Sequence, residues 1–256
     1  MGAALVPLGV RMAILARSRL RHLAVVFAVL GLYLFRTWQG MADEPDRIRE
    51  TVGSAVSLFA YTVPLVFAGT FRDMAGGVAT LWLQKPIHPV HFHLVRYLEA
   101  TSVSIAVLLA VAACGATFVL IGDPSYTGLP AARILAVAAL VPLLIISVGF
   151  GLSAWLPRVG GLATAAFLGL TFATEIQTAL AMTSPEPPPV GWARRLLIPL
   201  WAFRDLGDSM RGAAPFSFAG LAWILGYAGA WVGLGALGIR HSMGGRAGWR
   251  TGRAAG

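Results

Sequence analysis

The chain has 256 residues, of which 57% are hydrophobic and 12% are charged, and its formal net charge is +9. An apolar share this high excludes a soluble domain of ordinary composition, and a single cysteine, Cys114, excludes a disulfide framework or a cysteine metal site. The positive charge is open to two explanations, nucleic-acid binding and membrane topology. The distribution of the charges along the chain favours the membrane.

The first twenty residues alternate apolar and basic side chains. Leucine and valine residues come first, and the arginines from Arg11 to Arg21 follow them before the first long apolar stretch. A cleavable signal peptide has its charges first, so this order argues against one. The pattern instead predicts an amphipathic helix over residues 1–20, lying on the anionic inner surface of a membrane.

Long stretches without charged residues predict the membrane spans, because a spanning helix needs about 20 mostly apolar residues. Six spans are predicted, at about 21–38, 51–71, 97–122, 134–157, 159–182 and 214–239. Pro64 and Pro142 fall inside the second and fourth spans, where each is expected to remove a helical hydrogen bond. The predicted fold is therefore an all-α, polytopic membrane protein that forms one transmembrane domain over residues 1–256.

Basic residues set the predicted orientation of the spans. With the N-terminus inside, the inner segments hold twelve arginine and lysine residues and the outer segments hold eight. Because arginine and lysine near the span ends are enriched on the cytoplasmic side, this bias predicts both termini in the cytoplasm, with residues 240–256 as a basic tail.

Ionisable residues inside a span are the usual mark of a site in a membrane protein. Away from the span ends, Glu175 is the one such residue in the predicted spans, about 25 Å along its helix from Arg158, and it has two interpretations: pairing near the outer surface or lining a substrate path. His88, His91 and His93 lie close together but without acidic or cysteine ligands, so they predict an interfacial loop rather than a metal site. The sequence contains no recognisable motif for ATP hydrolysis.

Two loop motifs are informative about family. After the second span, a charged pair leads through a helix-like stretch to a Pro-Ile turn, with Gly77, Leu81, Pro86 and Ile87 as its marked positions and Arg96 at the start of the third span. Late in the chain, residues 198–203 and 209–212 form a Pro-Leu-aromatic segment followed by Arg-Gly. In order and spacing, these motifs resemble the permease subunits of type 2 ATP-binding-cassette (ABC) exporters.

The resemblance implies a short cytoplasmic coupling helix between spans two and three, docked into a separate ATPase subunit. It implies that ATP and magnesium bind to that partner, that this chain holds no cofactor or metal, and that a second permease copy or a related chain completes the substrate path in a bacterial inner membrane. No nucleic-acid partner is expected. The residues expected at the ATPase contact are Arg72, Asp73, Val78, Leu81, Trp82, Leu83, Lys85 and Pro86.

Other interpretations stay open at this point. The helix between spans two and three has apolar residues that could instead lie on lipid, and residues 191–211 fit either a re-entrant hairpin or an interfacial helix. The exporter subunit is expected to be non-catalytic. The alternatives are a membrane-embedded enzyme that modifies lipid, for which the three histidines would be the candidates, and a membrane scaffold that transports nothing.

Overall fold

A computed structural model describes most of the chain, and every regular element within that part is helical, which confirms the all-α prediction. The described residues are 17, 22–25, 27–28, 31–32, 35, 45–68, 71, 89–122, 137–156, 158–181, 197–210 and 215–251. The helices are α1 (Pro45–Ala68), α2 (Pro89–Gly122), α3 (Leu140–Trp155), α4 (Gly160–Ala181), α5 (Leu200–Met210) and α6 (Phe218–Thr251). The predicted helix over residues 1–20, except for Arg17, and the predicted coupling helix lie outside these residues.

Helices α1 and α2 begin earlier than the predicted spans, and each begins at a proline. Pro45 opens α1, and Pro89 opens α2. A proline suits the first helical position, because the N–H that it lacks has no partner there. Charged residues end the apolar stretch of a sequence, but the helix continues through them. The prediction of a loop through His91 and His93 is therefore wrong, since both residues lie in the first turns of α2.

The two prolines inside the predicted spans have different positions in their helices. Pro64 lies well inside α1, as expected. Pro142 is the third residue of α3. Val137 and Ala138 just before α3 are helical as well, and Ala139 has helical backbone angles, φ −65° and ψ −19°. Pro142 therefore lies within a run of helical backbone, and the regular helix is interrupted at Ala139, where a proline at 142 leaves the carbonyl of Ala138 without its helical donor.

Helix α3 is the centre of the structure. It is only 16 residues long, yet eleven of them are buried. A helix that is apolar on all sides packs against neighbours in every direction. In agreement with this, α3 contacts α1, α2, α4 and α6, and its contact with α6 is the most extensive between any two of these helices.

Successive long helices run in opposite directions. Phe71, just after α1, and Tyr97, in the first part of α2, both pack against Phe150, near the end of α3. Gly160, at the start of α4, lies against Ser153 of α3. Gly235, in the second half of α6, lies against the Phe150 ring. The ends of α1 and α3 therefore meet the starts of α2 and α4 at one end of the bundle, which we call the Phe150 end.

Helix α5 lies at the other end and packs on the start of α6. Ala202 and Leu206 of α5 are buried, and the carbonyl oxygen of Ala202 would lie 3.2 Å from a Cβ placed at Gly220 of α6. The rings of Trp201 and Trp223 extend this contact, with their centroids 6.0 Å apart. Residues 200–210 thus form one short helix against α6.

Two helices are long and apolar enough to cross a membrane, by their length and composition. These segments are Val90–Thr117 within α2 and Phe218–His241 within α6. Three shorter apolar helical segments accompany them: Leu58–Ala68, Leu140–Trp155 and Gly160–Thr174. Among the described residues, two helices rather than six meet both criteria. Helix α2 has exposed residues on more than one side, among them Leu98, Leu109 and Cys114.

Candidate functional site

The structure describes the residues on either side of the predicted ATPase contact. Phe71 precedes it and is fully buried, and Val90 follows it and is also buried. The chain thus leaves the helical core and returns to it at packed positions. The contact residues themselves lie outside the described residues: Arg72, Asp73, Val78, Leu81, Trp82, Leu83, Lys85 and Pro86.

Both flanks join one cluster of side chains, which we call the Phe150 cluster and define as Phe71, Tyr97, Ser147, Phe150 and Gly235. The edge of the Phe71 ring meets the Phe150 ring, with centroids 5.4 Å apart and an angle of 82° between the planes. The Tyr97 ring lies 5.6 Å from the Phe150 ring. Aromatic pairs prefer such tilted arrangements to flat stacking. Phe150, which is fully buried, therefore contacts residues on both sides of the predicted coupling segment.

A buried hydrogen bond fixes Tyr97 against α3. The hydroxyl of Tyr97 lies 3.0 Å from the hydroxyl of Ser147. Ser147 donates its own proton to the carbonyl oxygen of Leu143, at 2.7 Å. A serine hydroxyl has one proton to donate, so Tyr97 is the donor in the bond between the two side chains. The bond connects α2 to α3 at the same level as the aromatic contacts.

Glycines bring α3 and α6 into close contact. A Cβ at Gly151 would lie 2.5 Å from the Trp231 ring and 2.9 Å from the Trp231 carbonyl oxygen. A Cβ at Gly235 would collide with the Phe150 ring. Small residues at such contacts let helix backbones approach closely, which is the main source of helix association in lipid. The Phe150 cluster is in this way packed directly onto α6.

The histidines occupy different environments. His91 is exposed, whereas His93 is buried beside the Phe92 ring, with centroids 5.2 Å apart. Two residues apart on a helix, the two side chains point to different faces. His88 lies outside the described residues. The structure thus separates two of the three histidines that the sequence placed together.

A buried polar stripe runs along α2. His93, Tyr97 and Ser104 lie on one face of the helix, over a length of about 16 Å. Nδ1 of His93 and Oγ of Ser104 have no hydrogen-bond partner among the described residues. Glu99, on a different side of α2, is also buried. The unpaired atoms of His93 and Ser104 are unfavourable in a buried position, because they have lost their hydrogen bonds to water.

The chain matches no protein-family model, and a comparison with curated proteins gives no match. Its function must therefore be argued from its own residues. The Phe150 cluster consists of hydroxyls, aromatic rings and a glycine, and it joins α1, α2, α3 and α6.

Glu175 lies in α4, and its side chain lies outside the described residues. The buried threonines of α4 are described. Thr164 and Thr171 each donate to the carbonyl oxygen four residues earlier, at 2.7 and 2.9 Å. Such bonds satisfy a hydroxyl within its own helix.

Several residues of this site were not predicted from the sequence. Tyr97 stood beside Arg96 in the first family motif, but its bond to Ser147 spans fifty positions. Phe150 lay inside an apolar stretch in which no residue stood out. The one local signal was the group of small residues, Gly149, Gly151 and Ser153, which indicates close helix packing but not with which helix.

Proposed function

We propose that this chain is the permease subunit of an ATP-driven exporter, with six membrane spans and both termini in the cytoplasm. In this proposal, a separate ATPase subunit binds ATP and magnesium and docks on residues 72–86. A second copy of the chain, or a related chain, completes the substrate path. The observation that carries the proposal is the Phe150 cluster, because it links both flanks of the predicted docking segment to the rest of the bundle.

The exposed surface supports a membrane location. Within α2 and α6, the most apolar windows are only 33% and 28% buried inside the chain. A core helix of a soluble protein would be mostly buried. Instead, large apolar side chains such as Leu109, Leu225 and Leu237 face outward. An apolar surface of this extent is unfavourable in water and suits lipid.

The helix directions support the proposed topology. Spans that cross a membrane in turn must alternate in direction, and α1, α2, α3 and α4 do so. The Phe150 end also carries the exposed residues Arg158 and Arg240, which agrees with a cytoplasmic position for that end. The predicted docking segment and the C-terminal tail then lie on the same side as the ATPase.

The Phe150 cluster provides a route for coupling. Movement of the docking segment would displace Phe71 and the start of α2 together, because the segment connects them. Both contact Phe150 directly. Close-packed side chains transmit displacement instead of absorbing it. Helix α3 would therefore tilt, and its close contact with α6 would carry the movement across the bundle.

The cargo in this proposal is amphiphilic or lipid-like. The described spans carry few polar side chains, which suits a molecule that is largely apolar. Glu175, towards the outer end of α4, is the candidate acidic residue on the substrate path. The polar stripe of α2 adds hydrogen-bonding groups in the interior. A lipid-modifying enzyme would instead need a convergent group of acids or histidines, and His91 and His93 do not converge.

The proposal is tested by recovery of the partner. The tagged chain is purified in mild detergent from its native host, and co-purified ATPase is measured for the wild type and for the double variant Leu81→Asp, Trp82→Asp. We expect the ATPase with the wild type and its loss with the double variant, because two buried charges would disrupt an apolar docking surface.

A matched control separates docking from general damage. The double variant Val190→Asp, Trp192→Asp makes the same chemical change in the predicted outer segment and should keep the ATPase. A wild-type chain that is recovered alone would refute the exporter proposal and favour the enzyme or scaffold. Equal loss of the ATPase in both double variants would show that residues 72–86 are not its specific docking site.

A further inference from the structure

Trp155, at the end of α3, is held in a fixed position against α6. Its indole N–H donates to the carbonyl oxygen of Leu234, at 3.0 Å. Its ring stacks on the His241 ring, with centroids 5.9 Å apart and 26° between the planes. Gly238 makes room for the indole, since a Cβ there would lie 3.0 Å from the indole nitrogen. Even so, the Trp155 side chain is 52% exposed.

Arg158 is a positively charged residue that follows three positions after Trp155, in a tight turn. The Leu156 N–H donates to the Leu152 carbonyl oxygen at 2.7 Å, and the Val159 N–H donates to the Leu156 carbonyl oxygen at 3.1 Å. These bonds fix the backbone between α3 and α4. Arg158 and His241 are both exposed. We call Trp155, Arg158 and His241 the Trp155 rim.

An apolar surface adjoins the Trp155 rim. Leu162, in the first turn of α4, is 73% exposed, and Leu156, Val159 and Leu237 are exposed as well. Leucine side chains that face outward from the described part of the chain suit lipid acyl chains. In a phospholipid, a charged headgroup adjoins the acyl chains. The basic and aromatic rim suits the headgroup, and the exposed apolar surface next to it suits the acyl chains.

We infer that the Trp155 rim binds the headgroup of an anionic phospholipid, with the phosphate at Arg158 and His241 and the acyl chains along Leu162 and Leu237. Charge complementarity selects the anionic class, because Arg158 carries a positive charge and the His241 ring has an N–H that can donate to a phosphate oxygen. The inference rests on the membrane location in the proposed function but does not depend on transport, ATP or a partner subunit.

Arg240 provides a control at the same depth. It is exposed and adjoins His241 in sequence. However, it lies about 160° around the helix from Gly238 and about 100° from His241, the two residues that contact the Trp155 ring. A general attraction between a basic surface and anionic lipid would involve Arg158 and Arg240 equally. A built site at the rim would involve Arg158 but not Arg240.

The test measures which lipid lies next to Trp155. The full-length chain is reconstituted into two sets of vesicles with equal amounts of phosphatidylcholine and phosphatidylglycerol, which differ only in which lipid carries bromine as a fluorescence quencher. The chain has eight tryptophans. Subtracting the quenching seen in Trp155→Phe isolates the contribution of Trp155. We expect phosphatidylglycerol to be preferred about fivefold at this position, as one basic contact near the membrane surface predicts.

Two variants decide the interpretation. Arg158→Gln should abolish the preference, and Arg240→Gln should keep it. Equal quenching by the two brominated lipids in the wild type would overturn the inference, as would an equal loss in both variants. Vesicle flotation checks the membrane location separately, because a chain that does not float with the vesicles would refute that part of the proposed function as well. Loss of the ATPase partner alone would leave the lipid site intact.

Discussion

Helix α6 has glycines on two faces, and they meet different surroundings. On the side towards α3, Gly235 and Gly238 lie against Phe150 and Trp155, and added side chains would collide or be tightly confined. Elsewhere on the helix, a Cβ at Gly226, Gly229 or Gly233 would meet no atom of the described residues within 4 Å. Glycine on the first face is required by packing, whereas nothing in the described part of the chain requires it on the second. Glycine thus allows close packing against α3 on one face of α6. On the other face, it leaves these positions without side chains.

The largest effect is expected from removal of the Phe150 ring, because the side of α6 towards α3 packs against it. Phe150→Ala should lower the free energy of unfolding by about 3–5 kcal/mol, because the residue is fully buried and packs against Phe71, Tyr97 and Gly235. The measurement is unfolding of the purified chain in mixed detergent micelles, followed by tryptophan fluorescence. Leu225→Ala, on the exposed side of α6, is the control and should change little. A similar loss in both variants would mean that the two faces do not differ.

A smaller effect is expected from filling the space at a close contact. Gly151→Ala should destabilise the chain by about 1–3 kcal/mol, since the new methyl group meets both the Trp231 ring and its backbone oxygen. Backbone atoms cannot move aside as a flexible side chain can. The same unfolding assay applies, with Gly233→Ala as its matched control. An unchanged Gly151→Ala variant would show that α3 and α6 separate more easily than this packing implies.

A polar contact of α3 provides a third test. Ser147→Ala should reduce stability by about 1 kcal/mol, because it leaves the buried Tyr97 hydroxyl without its acceptor. Tyr97→Phe together with Ser147→Ala should cost less than the sum of the single changes, which a double-mutant cycle measures. Strict additivity would contradict a direct bond between the two hydroxyls.

The smallest effect is expected on the open face. Gly229→Ala adds a methyl group where there is free space and replaces a poor helix former by a good one. We expect stability to be unchanged or raised, by no more than about 1 kcal/mol. A clear loss of stability would contradict the free space on this face.

The sequence predicted the apolar interiors of the helices better than their ends. Helix α4, Gly160–Ala181, lies within one residue at each end of the predicted segment 159–182. By contrast, α2 begins at Pro89, eight residues before the segment predicted from charge, and α6 continues to Thr251 through the basic tail. Charge marks where a sequence stops being apolar. Helical hydrogen bonds do not depend on that boundary, so charge gaps could not locate the ends.

The sequence predicted only part of the candidate site. The motif after the second span drew attention to residues 71–87 and to Arg96, and the described flanks of this segment do meet in one cluster. The partners of that cluster were not predictable, because Phe150 and Gly235 are distant in sequence and meet only through the packing of α3 on α6. An apolar residue carries no local sign of which helix it will contact.

Cys114 gives this chain a property of practical value. It is the only thiol in the sequence, and it is exposed on α2. A nitroxide label therefore attaches at one defined position of the natural chain, without any engineered residue. If two copies of the chain pair symmetrically, the two labels are equivalent, so a single spin–spin distance would measure how far apart the two α2 helices stand.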